Sequence, residues 1–316
     1  TPPIAQANRG VGYPEGSRCT PTLDGDRIYA LGVSGDLVCL EAATGKQIWR
    51  RQLVGEFQGQ IPNWGYCESP LVDGDKLIVT PGGRGPTVVA LNKRTGEELW
   101  RMTVPGGRAA YASAISVTVH GVPQYIQFLT NGPVGIAAAD GRLLWSHARP
   151  ANGIVITTPL YVDGHVFATT AYDKGGALLK LVKEGDQFRA EEVYFSQEMQ
   201  NHHGGVIRLG DYVYYSEGHR GPISFVCREW KTGTRVWSTD ERLKGSLVFA
   251  DGMLIVRSER GPVVLVAPGP GGFVEKGRFD QPDRSGKNAW SHPVVVGGKL
   301  YLRDQDVLFC YDLKEP

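Results

Sequence analysis

The sequence predicts an all-β protein, a β-propeller of four-stranded antiparallel blades, and three observations carry that prediction. First, one phrase recurs with fixed internal spacing: CLEAATGKQIW (39–49), ALNKRTGEELW (90–100), GIAAADGRLLW (135–145) and CREWKTGTRVW (227–237). Its closing tryptophans Trp49, Trp100 and Trp145 lie 51 and 45 residues apart, and Trp237 follows 92 later. That spacing is a period of about 46 residues with one degenerate copy, where Tyr194 stands near the expected place, and periods of this size are the mark of propeller blades. Second, a turn dipeptide between apolar runs returns seven times, at Asp24-Gly25, Asp73-Gly74, His120-Gly121, Asp163-Gly164, Gly210-Asp211, Asp251-Gly252 and Gly297-Gly298. Third, the runs beside these turns alternate with period two, as in DRIYALG, DKLIVTPG, DYVYYSEG and GKLYLRDQD, and are rich in β-branched and aromatic residues. Such segments read as short antiparallel strands.

Within each repeat the elements follow in order. The first turn joins the innermost strand to the second. The Thr-Gly pair of the phrase makes the turn between the third and fourth strands, with Gly45, Gly96, Gly141 and Gly233 available for positive φ. The tryptophan ends the outer strand, where a large flat side chain covers the contact between one blade and the next. Trp49, Trp100, Trp145 and Trp237 are therefore assigned to blade docking. The chain is expected to be a single domain, 1–316, of seven or eight blades: seven repeats are visible, and an eighth would need residues upstream of Thr1. The last repeat stops at LFCYDLKEP, with a third strand but no phrase-bearing fourth. Residues 1–16, or a segment before them, are expected to pair beside Leu308–Tyr311, because an unpaired edge invites aggregation.

Composition excludes several classes. A net charge of +1 sets up no field for nucleic acid or an anionic membrane, and no apolar run approaches the roughly 20 residues that span a bilayer. Nothing in TPPIAQANRGVGYPEG reads as a signal peptide. The five cysteines form no CxxC, so no zinc or redox signature is present. Cys39, Cys227 and Cys310 share the register that holds Ala90 and Gly135 in other copies, which reads as a slot for a small buried residue and predicts unreactive thiols. Cys19 and Cys67 enter neighbouring repeats and are either a close pair or two free thiols.

Catalytic patterns are absent: there is no GxSxG, Walker sequence or HExxH, and the glycine-rich stretches TPGGRGP, VPGGRAA and APGPGG lack the following helix of a phosphate cradle. His202 and His203 in NHHGG are consecutive, and on a strand they would point to opposite faces and bind no metal together. Asp304 and Asp306 would share a face if their strand continued, and would be solvated if they lie on a hairpin turn.

The candidate binding face lies where the innermost strands begin: SRCTPT, YCESPL, YASAI, VITTPL, NHHGGV, LKGSLV and WSHPVV. Just before the small or proline residue of each stand Arg18, Glu68, Tyr111, Thr157, His203, Lys244 and Trp290, with His292 one step further in. These are expected to converge on one funnel and to offer a polar and aromatic surface to a protein, peptide or glycan.

The phrase, close to A-x-D-x-x-T-G-x-x-x-W, resembles the tryptophan-docking motif of pyrroloquinoline-quinone-like propeller repeats over nearly the whole chain. That group includes quinoprotein alcohol dehydrogenases and the lipoprotein propeller of the bacterial outer-membrane barrel-assembly machinery, typically eight-bladed. The stretches GYCESPLVDGDKLIVTPGG, NHHGGV, QPDRSGK and LYLRDQDVLFCYDL look most like secreted propellers of planctomycete-type bacteria. The resemblance implies a periplasmic or secreted protein of the cell envelope. Quinoprotein dehydrogenases carry an adjacent Cys-Cys pair and calcium ligands that have no counterpart here. The expectation is therefore a non-catalytic binding or scaffold propeller without cofactor or metal, the alternative being an oxidoreductase dependent on pyrroloquinoline quinone with calcium.

Overall fold

The computed structural model describes residues 17–149, 154–219, 223–239 and 241–314. The fold is a seven-bladed β-propeller of antiparallel sheets, at residues 22–52, 71–102, 115–146, 160–196, 207–238, 245–279 and 294–312, here called blades 1 to 7. Among the described residues, blades 1 to 6 each hold four strands in sequential order and blade 7 holds three. Helix is confined, among the described residues, to the single turn Leu53–Phe57. Among the described residues no helix is long and apolar enough to cross a membrane.

All seven predicted dipeptides fall at the hairpin between the first two strands of a blade. At His120-Gly121 both φ angles are positive, 47° and 79°, the type I′ geometry whose twist matches the flanking strands.

The recurring phrase is blade hardware, and its parts interlock. Its acidic or amide residue closes the turn: Glu41 accepts the Thr44 hydroxyl, Glu229 that of Thr232, and Asn92 Oδ1 accepts the backbone N–H of Arg94 and Thr95. The small residue faces the tryptophan across the ladder, as Cys39 with Trp49, Ala90 with Trp100, Gly135 with Trp145 and Cys227 with Trp237, and a bulge follows each time. A Cβ at Gly135 would stand 1.9 Å from Trp145 Nε1, so the indole itself sets the size limit of the slot. Trp49 then reaches the next blade, donating Nε1–H to the Lys93 carbonyl at 3.0 Å and lying over Gly96. Trp100 covers Gly141 in the same way. In the degenerate copy Tyr194 covers Gly233 and donates its hydroxyl to the Trp230 carbonyl at 2.9 Å. Trp237 donates to the Gly269 carbonyl at 2.8 Å.

One register inference needs correction. Cys39 and Cys227 are wholly buried, but Cys310 is exposed. Its ladder partner is Tyr301, and among the described residues no tryptophan-bearing strand lies beyond it, so the slot exists without its lid. Val307 and Leu308 on the same strand are exposed as well. The expected pairing of residues 1–16 beside this strand lies outside the described residues. Cys19 and Cys67 are free thiols.

By packing, the chain divides into two compact units. One runs to Ala168 and includes Leu179–Glu191; the other comprises Thr169–Leu178 and the residues from Glu192 onward. The first unit has a core of Tyr29, Leu31, Leu37, Trp49, Val79 and Val89 among others, sealed between blades 1 and 2. The second has Tyr214, Phe225, Cys227, Leu254, Val256 and Val264 between blades 5 and 6. Period-two patterning gives each strand one face for such an interface.

Candidate functional site

In the first unit the strand entrances are stitched together. The backbone N–H of Thr20 donates to Ser69 Oγ at 3.1 Å, that of Ser69 to Ser113 Oγ at 2.9 Å, and that of Ser113 to Thr158 Oγ1 at 3.4 Å. At Ser69 and Thr158 the small residue that marks the register is thus a hydroxyl bonding blade to blade, and in the blade between them Ser113, one residue on from Ala112, takes that part. Arg18 donates to the Trp64 carbonyl, and the Tyr111 ring lies 5.5 Å from that of Trp64. Thr157 is buried.

Glu68 behaves differently from an entrance residue. It is 4% exposed, accepts the Thr80 N–H at 2.5 Å and lies 3.2 Å from the Gln127 amide nitrogen, which also donates to Thr80 Oγ1 at 2.7 Å. Burial pushes its carboxyl up to about 7, against the pull of these donors.

The second unit gathers the other four predicted residues around one that sequence reasoning missed, Glu259. This carboxylate follows the strand Met253–Ser258. Its Oε1 lies 2.9 Å from Trp290 Nε1, 3.1 Å from Lys244 Nζ and 3.2 Å from His203 Nε2. Glu259 and His203 side chains are only 14% and 16% exposed. His292 Nε2 lies 3.2 Å from the His203 carbonyl. Around this centre stand Tyr172, His202 and His219, with Tyr172 Oη 3.0 Å from His202 Nε2 and the His202 and His219 rings 4.4 Å apart. Nothing in the sequence marked Glu259 or His219, since each sits in a loop after the second strand of its blade.

The reading that His202 and His203 face apart is overturned. They precede the strand Ile207–Leu209, so strand alternation does not apply, and their rings lie 4.1 Å apart. The loop is held by close packing: a Cβ at Gly204 would stand 2.0 Å from the Gly245 carbonyl oxygen, and Leu247 N–H donates to the Gly204 carbonyl at 3.3 Å. Burial and the neighbouring Lys244 ammonium drive the His203 imidazole down to about 3, and burial with the adjoining His203 drives His202 down to about 2. Both are neutral at physiological pH. Asn201, His202, His203, Gly204, Ser216 and Lys244 line a small concavity with a volume of about 10 Å³.

Asp304 and Asp306 do not pair as acids. Asp304 ends its strand, buried and accepting the Ser285 N–H and hydroxyl at 2.9 and 2.7 Å, while Asp306 lies on the hairpin turn.

Comparison with known proteins places this geometry. The family described as outer membrane protein assembly factor BamB matches residues 6–239. Outer membrane protein assembly factor BamB of Yersinia pestis is 23% identical, the match covering 91% of this chain and 82% of that protein. The crystal structure of BamB from Moraxella catarrhalis superposes with a TM-score of 0.66 at 18% identity, over 93% of this chain and 81% of that one. A europium-containing methanol dehydrogenase superposes with a TM-score of 0.60 at 14% identity, over 90% and 72%. At these identities the structural likenesses establish the fold alone.

Proposed function

The chain belongs to the family of outer membrane protein assembly factor BamB, and on that premise we propose that it is a non-catalytic scaffold of the bacterial cell envelope, periplasmic or secreted, that holds a protein partner. The family match over residues 6–239 carries the reading. The cluster His203, Lys244, Trp290 and His292 supports it as the contact face: it combines an aromatic plate, 38% exposed at Trp290, with fixed hydrogen-bonding groups. Such a mixed, concave surface suits an extended protein segment, for which a flat ring supplies area and the polar groups supply register. Binding needs only a rigid surface, and no redox cofactor enters the proposal. The quinone-dependent alternative rests on shared fold, which does not transfer chemistry.

The test is capture of proteins from a solubilised outer-membrane fraction on the immobilised chain, compared with a His203→Ala, Lys244→Ala, Trp290→Ala variant. Outer-membrane proteins or their assembly components are expected on the wild type and not on the variant, which is expected to stay folded at a lowered melting temperature because Glu259 loses the three groups around it. Equal capture by both, or loss only through unfolding of the variant, would remove this face from the proposal. Release by free glycan would make the ligand a sugar instead.

A further inference from the structure

We propose that His202, His203 and Glu259 form a binding site for a zinc-type divalent cation in the second unit. One ligand atom from each of the three residues lies within 4.8 Å of the other two. Two imidazoles and one carboxylate are the donor set that zinc takes when one coordination position stays open, and imidazole selects late first-row metals over calcium or magnesium.

The carrying observation is a pair of nitrogens with nothing to do. His202 Nδ1 and His203 Nε2 are both buried, and neither is hydrogen-bonded. His203 Nε2 lies 3.2 Å from Glu259 Oε1, in an arrangement that does not meet hydrogen-bond geometry. With the His203 proton on Nδ1, this ring nitrogen and the carboxylate oxygen are two acceptors face to face. A cation between them removes the conflict. The spacing also suits it, since two ligands at zinc bond lengths in a tetrahedron stand about 3.3 Å apart.

The neighbours act as an outer shell. Tyr172 Oη engages His202 Nε2 at 3.0 Å, so with that nitrogen protonated the lone pair falls on the buried Nδ1. Metal-bound histidines are oriented by such a partner on the other nitrogen. Trp290 Nε1 anchors Glu259 at 2.9 Å. The three ligand atoms lie up to 4.8 Å apart, so His202 must close the remaining gap by a side-chain rotation against the Tyr172 and His219 rings packed on it. Lys244 opposes the metal: its ammonium lies 3.1 Å from Glu259 Oε1, where a cation would be repelled, so the metal must displace it into the adjoining concavity. The site is thus a contest between a lysine and a divalent ion for one carboxylate, and this sets the expected behaviour of variants.

Calorimetric titration of the full chain with Zn²⁺ alone is expected to show one saturable site. His203→Ala and Glu259→Gln each weaken it by about tenfold or more, and Lys244→Gln tightens it by about tenfold as the competing charge is removed. His165→Ala, at a half-buried histidine that opens the strand His165–Thr170, leaves it unchanged. Co²⁺ titrated into the wild type, whose folding is not in question, is expected to give the intense visible absorption of tetrahedral cobalt. Absence of saturable Zn²⁺ binding, a cobalt spectrum of the octahedral aqua type, weaker binding in Lys244→Gln, or affinity lost in His165→Ala but kept in His203→Ala would each overturn the proposal.

Discussion

Replacing Glu68 with glutamine isolates a single buried carboxyl and predicts a change of sign with pH. The folded chain holds the Glu68 proton up to about pH 7, whereas the unfolded chain releases it near 4.5. Between those values the folded state binds more protons, so this group's contribution to stability falls as pH rises. At about 1.4 kcal/mol per pH unit, ionisation of Glu68 costs about 3 kcal/mol by pH 8. The glutamine carries no charge, but its amide would face the Gln127 nitrogen now 3.2 Å from Glu68, a lost hydrogen bond worth about 1 kcal/mol at every pH. Glu68→Gln is therefore expected to be less stable than the wild type at pH 4 and about 2 kcal/mol more stable at pH 8. His202 and His203 work in the opposite sense: their folded-state values lie below the unfolded 6.5, so their contribution is lost as pH falls below that value. The comparison must then be the difference between variant and wild type, in which the histidines cancel. Urea denaturation at a series of pH values from 4 to 8 measures it. A variant-minus-wild-type difference that stays constant across the series would refute the burial argument for Glu68.

Trp49→Ala removes the ring that covers Gly96 and the bond to the Lys93 carbonyl, and is expected to cost about 3–5 kcal/mol, read from the urea midpoint; a loss under 1 kcal/mol would show that docking is not its role. Maleimide applied to the native chain is expected to label Cys310 rapidly and to reach Cys39 and Cys227 only in denaturant, and rapid native labelling of Cys227 would contradict the lidded slot.

The blades were legible because their signals are local and repeated. A turn dipeptide, a two-residue period and a tryptophan at fixed spacing recur often enough that even the degenerate copy at Tyr194 could be placed. The candidate site was only half legible, because its parts touch through tertiary packing alone. His203, Lys244 and Trp290 were found from the start of each inner strand, a position the repeat itself defines. Glu259 was not, since the loop SERGP carries no mark separating it from an ordinary turn. The register of Cys310 was read correctly while its burial was not, because burial depends on a fourth strand that the register does not supply. Glu68 stood among entrance residues by sequence, and its burial arises from Thr80 and Gln127, which lie 12 and 59 positions away.

The claim that the chain works by holding a partner and not by redox chemistry is tested most directly by calorimetric titration with pyrroloquinoline quinone in the presence of Ca²⁺. A scaffold gives no saturable heat of binding. A one-to-one isotherm, accompanied by oxidation of a primary alcohol with an added electron-accepting dye, would contradict the scaffold reading and make the chain a quinone-dependent enzyme.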